Sequence, residues 1–171
     1  PLCFFRADDG ITNDELWITD GTAAGTKLHT NIAKSTSTGT QNGDPTYMTN
    51  VFGVTYFEAD DGTGETLWKT DGTAAGTVKI GKTEDAYLYY STEYQSGRVT
   101  AIGNKFIFRG RTSAAGYEVW VSDGTPGGTM MLKDANPGSG NGYFYYPVVM
   151  NGFCYYWADN GPGYDLYKTD G

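Results

Sequence analysis

Positive charge is scarce in this chain. Twelve Lys and Arg stand against 20 Asp and Glu, giving a net charge of −8 and an isoelectric point near 4.5. No basic cluster stands out, and a protein that follows a phosphate backbone needs one; nucleic acid is therefore an unsuitable partner. Histidine is almost missing. His29 is the only one, and no Ser or Cys near it sits in a nucleophile's context. No apolar run approaches the ~20 residues of a membrane span. No leader of charged-then-apolar type is visible, and the chain opens on Pro1 rather than Met, which reads as a processed chain or an excised piece. The glycine-rich turns run from strand into strand and not into a helix, so none has the setting of a phosphate-cradling loop.

Glycine and tyrosine are plentiful, at 25 and 14 of 171 residues. Both suit many short strands joined by tight turns. The dominant feature is a repeat. Glu15-Leu16-Trp17-Ile18-Thr19-Asp20-Gly21-Thr22-Ala23-Ala24-Gly25-Thr26 returns over residues 66–77 and 118–129, and a fourth copy begins at Asp165 and runs to Gly171. The motif Asp falls at 20, 71, 123 and 170, so the steps are 51, 52 and 47 residues. A period near 50 marks a repeat architecture.

The run resembles the ELWxxDGT repeat of large secreted or surface-attached bacterial proteins. This chain departs from it at Thr66 for the acidic residue, Val119 for Leu and Tyr167 for Trp, changes that keep size and character roughly. The resemblance implies β-propeller blades and an extracellular or cell-surface setting. It brings no agreed catalytic residues.

The apolar pattern supports stacked sheets. Cys3-Phe4-Phe5, Phe106-Ile107-Phe108 and residues 153–157 are apolar runs, not alternations, as are Leu16-Trp17-Ile18 and Val119-Trp120-Val121. A strand with one wet face alternates, whereas radially stacked four-stranded blades cover both faces. Each repeat divides into strands A (47–52, 98–102, 145–150), B (2–7, 54–59, 105–109, 153–158), C (the Leu-Trp strand) and D (27–32, 78–81, 130–133). The expected fold is all-β, with 14 strands in about three and a half propeller blades of a larger ring. The repeats are 1–53, 54–104, 105–152 and a partial 153–171. Further blades of the same polypeptide, or another copy, are expected to cover the apolar end faces.

Two cysteines invite a disulfide. Cys3 and Cys154 occupy the same repeat position, four residues before Ala7 and Ala158. Equivalent strands three blades apart cannot bring their Cα atoms within the ~7 Å a bridge requires. Two unpaired, buried thiols are expected.

Four groups of residues are candidates for function. The turn residues Asp20, Gly21, Thr22, Asp71, Gly72, Thr73, Asp123, Gly124, Thr125 and Asp170 recur without specialisation, which points to a structural turn: Asp accepts backbone N–H groups and Gly supplies positive φ. Trp17, Trp68, Trp120 and Tyr167 sit mid-strand and read as inter-blade packing rather than sugar stacking. The acidic loops at Asp8, Asp9, Asp60, Asp61 and Asp159 could offer calcium several oxygens, or could be solvated turns. Tyr87, Tyr89, Tyr90 and Tyr94, then Tyr143, Tyr145 and Tyr146, crowd aromatics into linkers that should be polar, which suits a ligand or partner surface or a covering over the blade ends.

The functional expectation is a non-enzymatic extracellular or cell-surface structural or adhesion module acting through protein–protein contacts, with no required cofactor. The alternative is a lectin-like, glycan-binding propeller, with calcium as a possible aid. A glycan-active enzyme would need two carboxylates facing across a cleft, and the sequence singles out no such pair.

Overall fold

The computed structural model describes residues 2–33, 42–88 and 99–171, with Tyr87 described in backbone only. Among these residues there are 15 strands and no helix, so no helix is long and apolar enough to cross a membrane. The strands form four antiparallel sheets. The first holds β1 (Cys3–Ala7), β2 (Glu15–Thr19) and β3 (Lys27–Thr30). The second holds β4 (Thr46–Val51), β5 (Val54–Asp60), β6 (Glu65–Thr70) and β7 (Val78–Lys79). The third holds β8 (Asp85–Tyr87), β9 (Thr100–Ile102), β10 (Lys105–Thr112), β11 (Gly116–Ser122) and β12 (Met130–Lys133). The fourth holds β13 (Tyr145–Met150), β14 (Phe153–Asp159) and β15 (Tyr164–Thr169).

One cross-strand pair sets the register in each sheet. Phe5 faces Trp17, Phe57 faces Trp68, Phe108 faces Trp120 and Tyr156 faces Tyr167. Their ring centroids lie 6.3, 6.4, 6.5 and 5.7 Å apart. Each such pair contributes about 0.5–1.5 kcal/mol beyond the area it buries. A one-residue slip would turn the apolar set to the other face, so these pairs explain why sequence repeats 51 and 52 residues apart give superposable registers. The hairpins Phe52-Gly53 and Asn151-Gly152 have positive φ at both central residues, the two-residue turn whose twist matches the strands.

The strand count departs from the sequence expectation of 14. The additional strand, β8, lies within the stretch assigned to a linker. It pairs with β10 through Tyr87–Arg109, and β9 pairs farther along the same edge through Thr100–Ile107. In the second sheet the matching pairs, Thr46–Glu58 and Thr49–Tyr56, are separated by Tyr47 and Met48 alone. In the fourth, Tyr145–Trp157 and Val148–Tyr155 are separated by Tyr146 and Pro147 alone. Between these two pairings with β10 the sequence runs from Tyr87 to Thr100, where the other two sheets have two residues. Tyr47 and Tyr146 both have positive φ, at 55° and 51°, as a bulge that re-aims a side chain permits.

The chain divides into two compact units, one through Lys79 and one from Ile80 onward. In the first, Leu16 and Ile32 pack against Phe57, Ala59 and Trp68 of the second sheet. In the second, Ile102, Ile107, Val119 and Val121 of the third sheet pack against Cys154, Tyr156 and Ala158 of the fourth. Each unit is therefore two sheets, face to face, around one apolar layer. Both cysteines are free. Cys154 is buried as expected, but Cys3 is exposed: among the described residues of its own unit, the apolar layer forms on the Leu16 face of the first sheet and not over Cys3.

Candidate functional site

The Asp-Gly-Thr turns come first, because they hold the strands that carry everything else. Asp20 Oδ1 accepts the Thr22 N–H at 2.9 Å and the Thr22 hydroxyl at 2.7 Å. Thr22 Oγ1 in turn accepts the Gly25 N–H at 2.9 Å. The Thr26 hydroxyl donates to the Thr22 carbonyl at 2.7 Å, so it must accept from Thr19 Oγ1 at 2.6 Å, and Thr19 accepts the Gly21 N–H at 3.0 Å. The network returns at Asp71 and Thr73 with Thr70 and Thr77, and at Asp123 and Thr125 with Ser122 and Thr129. Gly21, Gly72 and Gly124 carry the positive φ. A Cβ at Gly25, Gly76 or Gly128 would overlap the motif carboxylate. These hydrogen bonds, the Thr side chain first, hold Asp20, Asp71 and Asp123 below the usual carboxylate range. Of the fourth copy, Gly171 N–H donates to Thr169 Oγ1 at 3.0 Å, as Gly21 does to Thr19.

The first residue of the motif has a different task, which the sequence reading missed. Glu15 and Glu118 are fully buried. Glu15 accepts the N–H groups of Ile32 at 2.7 Å and Ala33 at 3.1 Å. Glu118 accepts those of Ala135 at 2.9 Å, Asn136 at 3.4 Å and Gly142 at 2.8 Å. Each carboxylate thus ties its own strand to the segment leading into the next sheet. Burial pushes both carboxyls above their ordinary value against the pull of these donors. The signal in sequence was an acid recurring immediately before an apolar run.

The acidic loops are closed by their own backbone. Asp8 Oδ1 accepts Gly10 N–H, Asp9 Oδ1 accepts Ile11 and Thr12 N–H, Asp60 Oδ1 accepts Gly62 and Gly64 N–H, and Asp159 Oδ1 accepts Gly161 N–H, all at 2.7–2.9 Å. Asp61 Oδ1 takes the Lys79 ammonium at 2.8 Å. Among the described residues no three His, Cys, Asp or Glu side chains converge as a metal cage. Each of these carboxylates engages its donors through Oδ1.

The aromatic candidates are brought together in part. Tyr89, Tyr90 and Tyr94 lie outside the described residues, and Tyr87 is placed in β8. Tyr143, Tyr145 and Tyr146 gather where β13, β14 and β15 run side by side. Tyr145 lies 5.5 Å from Tyr143, 6.3 Å from Tyr146 and 5.7 Å from Tyr164, ring centre to ring centre. Tyr145, Tyr146, Trp157 and Tyr164 line a cleft of about 460 Å³. Tyr164 was not singled out in the sequence, and Trp157 only as part of the apolar run 153–157; the β13–β14–β15 register places both here. Behind the cleft the Arg109 guanidinium lies 5.8 Å from the Tyr143 ring and 4.9 Å from the Tyr117 ring. The Tyr117 hydroxyl donates to Asp85, and Asn141 donates to the Tyr143 hydroxyl at 3.2 Å. Burial, then the neighbouring phenols Tyr164 and Tyr143, raise the Tyr145 hydroxyl to about 12. The cleft is a neutral, largely apolar surface. It can stack on flat or CH-rich groups.

No family model matches the chain, and no curated protein matches it.

Proposed function

We propose that this chain is a non-enzymatic structural or adhesion module of the extracellular space or cell surface, that its four sheets are ELWxxDGT-type propeller blades, and that it works through protein–protein contacts. The observation that carries this reading is the open aromatic face of the fourth sheet. Tyr146, Trp157 and Tyr164 are exposed there, and the apolar surface continues over Val148, Met150 and Leu166. A patch of aromatics running into aliphatics is the composition of a protein-contact surface. The motif copies are consumed in holding turns, which leaves this face as the specialised part.

Glycan binding is the second reading. It is favoured by one feature, four rings around a cleft of about 460 Å³, since aromatic faces stack on sugar rings. Directional polar groups, which fix a saccharide, are few in that lining. A protein array and a glycan array, each probed with the wild-type chain and with a Tyr146→Ser/Trp157→Ser variant, separate the two. Protein binding lost in the variant is expected. Glycan binding lost in the variant, with no protein bound, would replace this reading by the second.

A further inference from the structure

One strand of the first unit breaks the repeat. Each motif Thr is followed by three residues: Lys27-Leu28-His29 after Thr26, Val78-Lys79-Ile80 after Thr77 and Met130-Met131-Leu132 after Thr129. After the second and third motifs the first and third of these residues are apolar. In β3 they are Lys27 and His29. Leu132 packs on the apolar layer of its unit. Its counterpart His29 instead reaches a turn of the second sheet, with Nε2 2.9 Å from Thr77 Oγ1, while Phe4 packs edge-on against its ring at 5.5 Å between centres.

Beside His29 lies a cleft of about 550 Å³ within the first unit. Ile18, Leu28 and Ala74 give it apolar walls, and Asp20, Lys27 and His29 give it polar groups. These six lie on β2, β3 and two Asp-Gly-Thr turns, with chain on both sides of each. The polar set is mixed. Lys27 offers an ammonium donor. Asp20 engages Thr22 through Oδ1 and keeps Oδ2 as an acceptor. The Thr77 hydroxyl already donates to the Thr73 carbonyl, so His29 Nε2 carries the proton and Nδ1 is an acceptor. One ammonium and one carboxylate offset each other, which disfavours a multiply charged ligand. A neutral ligand whose hydroxyls each donate and accept suits both kinds of group, and its CH faces suit the apolar walls.

We infer that this cleft binds a neutral saccharide ring, with Lys27 donating to its hydroxyls, Asp20 and His29 accepting from them, and Ile18, Leu28 and Ala74 packing on its CH groups. The site is separate from the aromatic cleft of the fourth sheet, and it does not rest on the protein-contact reading. It supplies the directional polar groups that are few in the aromatic lining. The turn at Asp20 keeps its structural task, since Oδ1 holds Thr22 and Oδ2 is the atom left for the sugar.

Saturation-transfer difference NMR of the full chain tests this, with glucose, galactose, mannose and N-acetylglucosamine offered in turn. With at least one of them the wild type should transfer saturation to the ring CH protons. Ala74→Trp fills the cleft from an exposed position, so it should fold, as far-UV circular dichroism would verify, and lose the signal. His29→Leu installs the side chain of its counterpart Leu132 and should lose the signal too. A wild-type chain that gives no signal with any of the four sugars would overturn the inference, and so would a signal that either folded variant keeps. A signal kept by Ala74→Trp and removed by Tyr146→Ser/Trp157→Ser would place the sugar in the aromatic cleft instead. Protein binding through Trp157 is measured separately, so the functional reading can stand when this inference falls, and the reverse.

Discussion

Glu118 Oε1 accepts the Gly142 N–H at 2.8 Å, and a Cβ at Gly142 would overlap that same carboxylate. Gly43 stands in the same relation to Glu15. The pairing is a lock in which only glycine lets the backbone approach the acid closely enough. Glu118→Ala would leave the Ala135 and Asn136 N–H groups without their acceptor, while the Gly142 N–H keeps the Tyr117 carbonyl at 2.8 Å, and unsatisfied buried donors cost about 1–3 kcal/mol each. A loss of about 3 kcal/mol in urea unfolding is expected, with Gly142→Ala also destabilising. A cost below about 1 kcal/mol would mean water replaces the carboxylate.

Asp71 and Gly76 should behave as one element. Asp71→Ala removes the acceptor of the Thr73 N–H and hydroxyl, and Gly76→Ala would displace the same carboxylate. Each is expected to lower the melting temperature. In the Asp71→Ala background Gly76→Ala should cost clearly less, because the group it displaces has gone. Strict additivity in the double-mutant cycle would refute the coupling.

His29 supplies a pH dependence. Its Nε2 lies 2.9 Å from Thr77 Oγ1, which already donates to the Thr73 carbonyl, so Nε2 carries the proton. Burial first, and Lys27 second, lower its pKa below 6.5. The native state thus prefers the neutral ring, and the unfolded chain binds the extra proton between the lowered pKa and 6.5. Stability therefore rises with pH across that window and is lost as pH falls through it. His29→Gln should flatten that slope in thermal melts at a series of pH values. An unchanged slope would assign it to other groups.

The period, the B and C strands and the turns were legible in sequence because local chemistry dictates them. Asp-Gly-Thr closes its own loop, and the apolar runs mark strands with an apolar side chain on each face, although in β1 and β14 one face stays open. β8 was not legible: Asp85-Ala86-Tyr87 is too short to show a pattern, and its pairing is decided by β10, more than 20 residues on. The burial of Glu15 was not legible, since it depends on Ile32, Ala33 and Gly43. Tyr145 and Tyr146 were noticed as unusual, yet their joining with Trp157 and Tyr164 depends on a register that no single segment contains.

The thiols separate the two ends of the apolar layers. Cys3 is exposed, while Cys154 is buried with its thiol raised to about 11 by burial. A thiol reagent at neutral pH, where little thiolate exists at Cys154, should label Cys3 in the native chain and Cys154 only on unfolding. Equal labelling rates would place Cys154 outside a stable layer.

The division of labour between scaffold turn and contact face is the core of this account, and paired variants test it most directly. Asp123→Ala weakens a turn; Trp157→Ala strips the centre of the open face. Both would be compared with wild type, at a temperature where all are folded, by quantifying the extracellular proteins each retains when immobilised. The account predicts that Asp123→Ala keeps the wild-type set and Trp157→Ala loses it. Retention by Trp157→Ala, with loss in Asp123→Ala, would contradict it and move the binding site to the Asp-Gly-Thr turns.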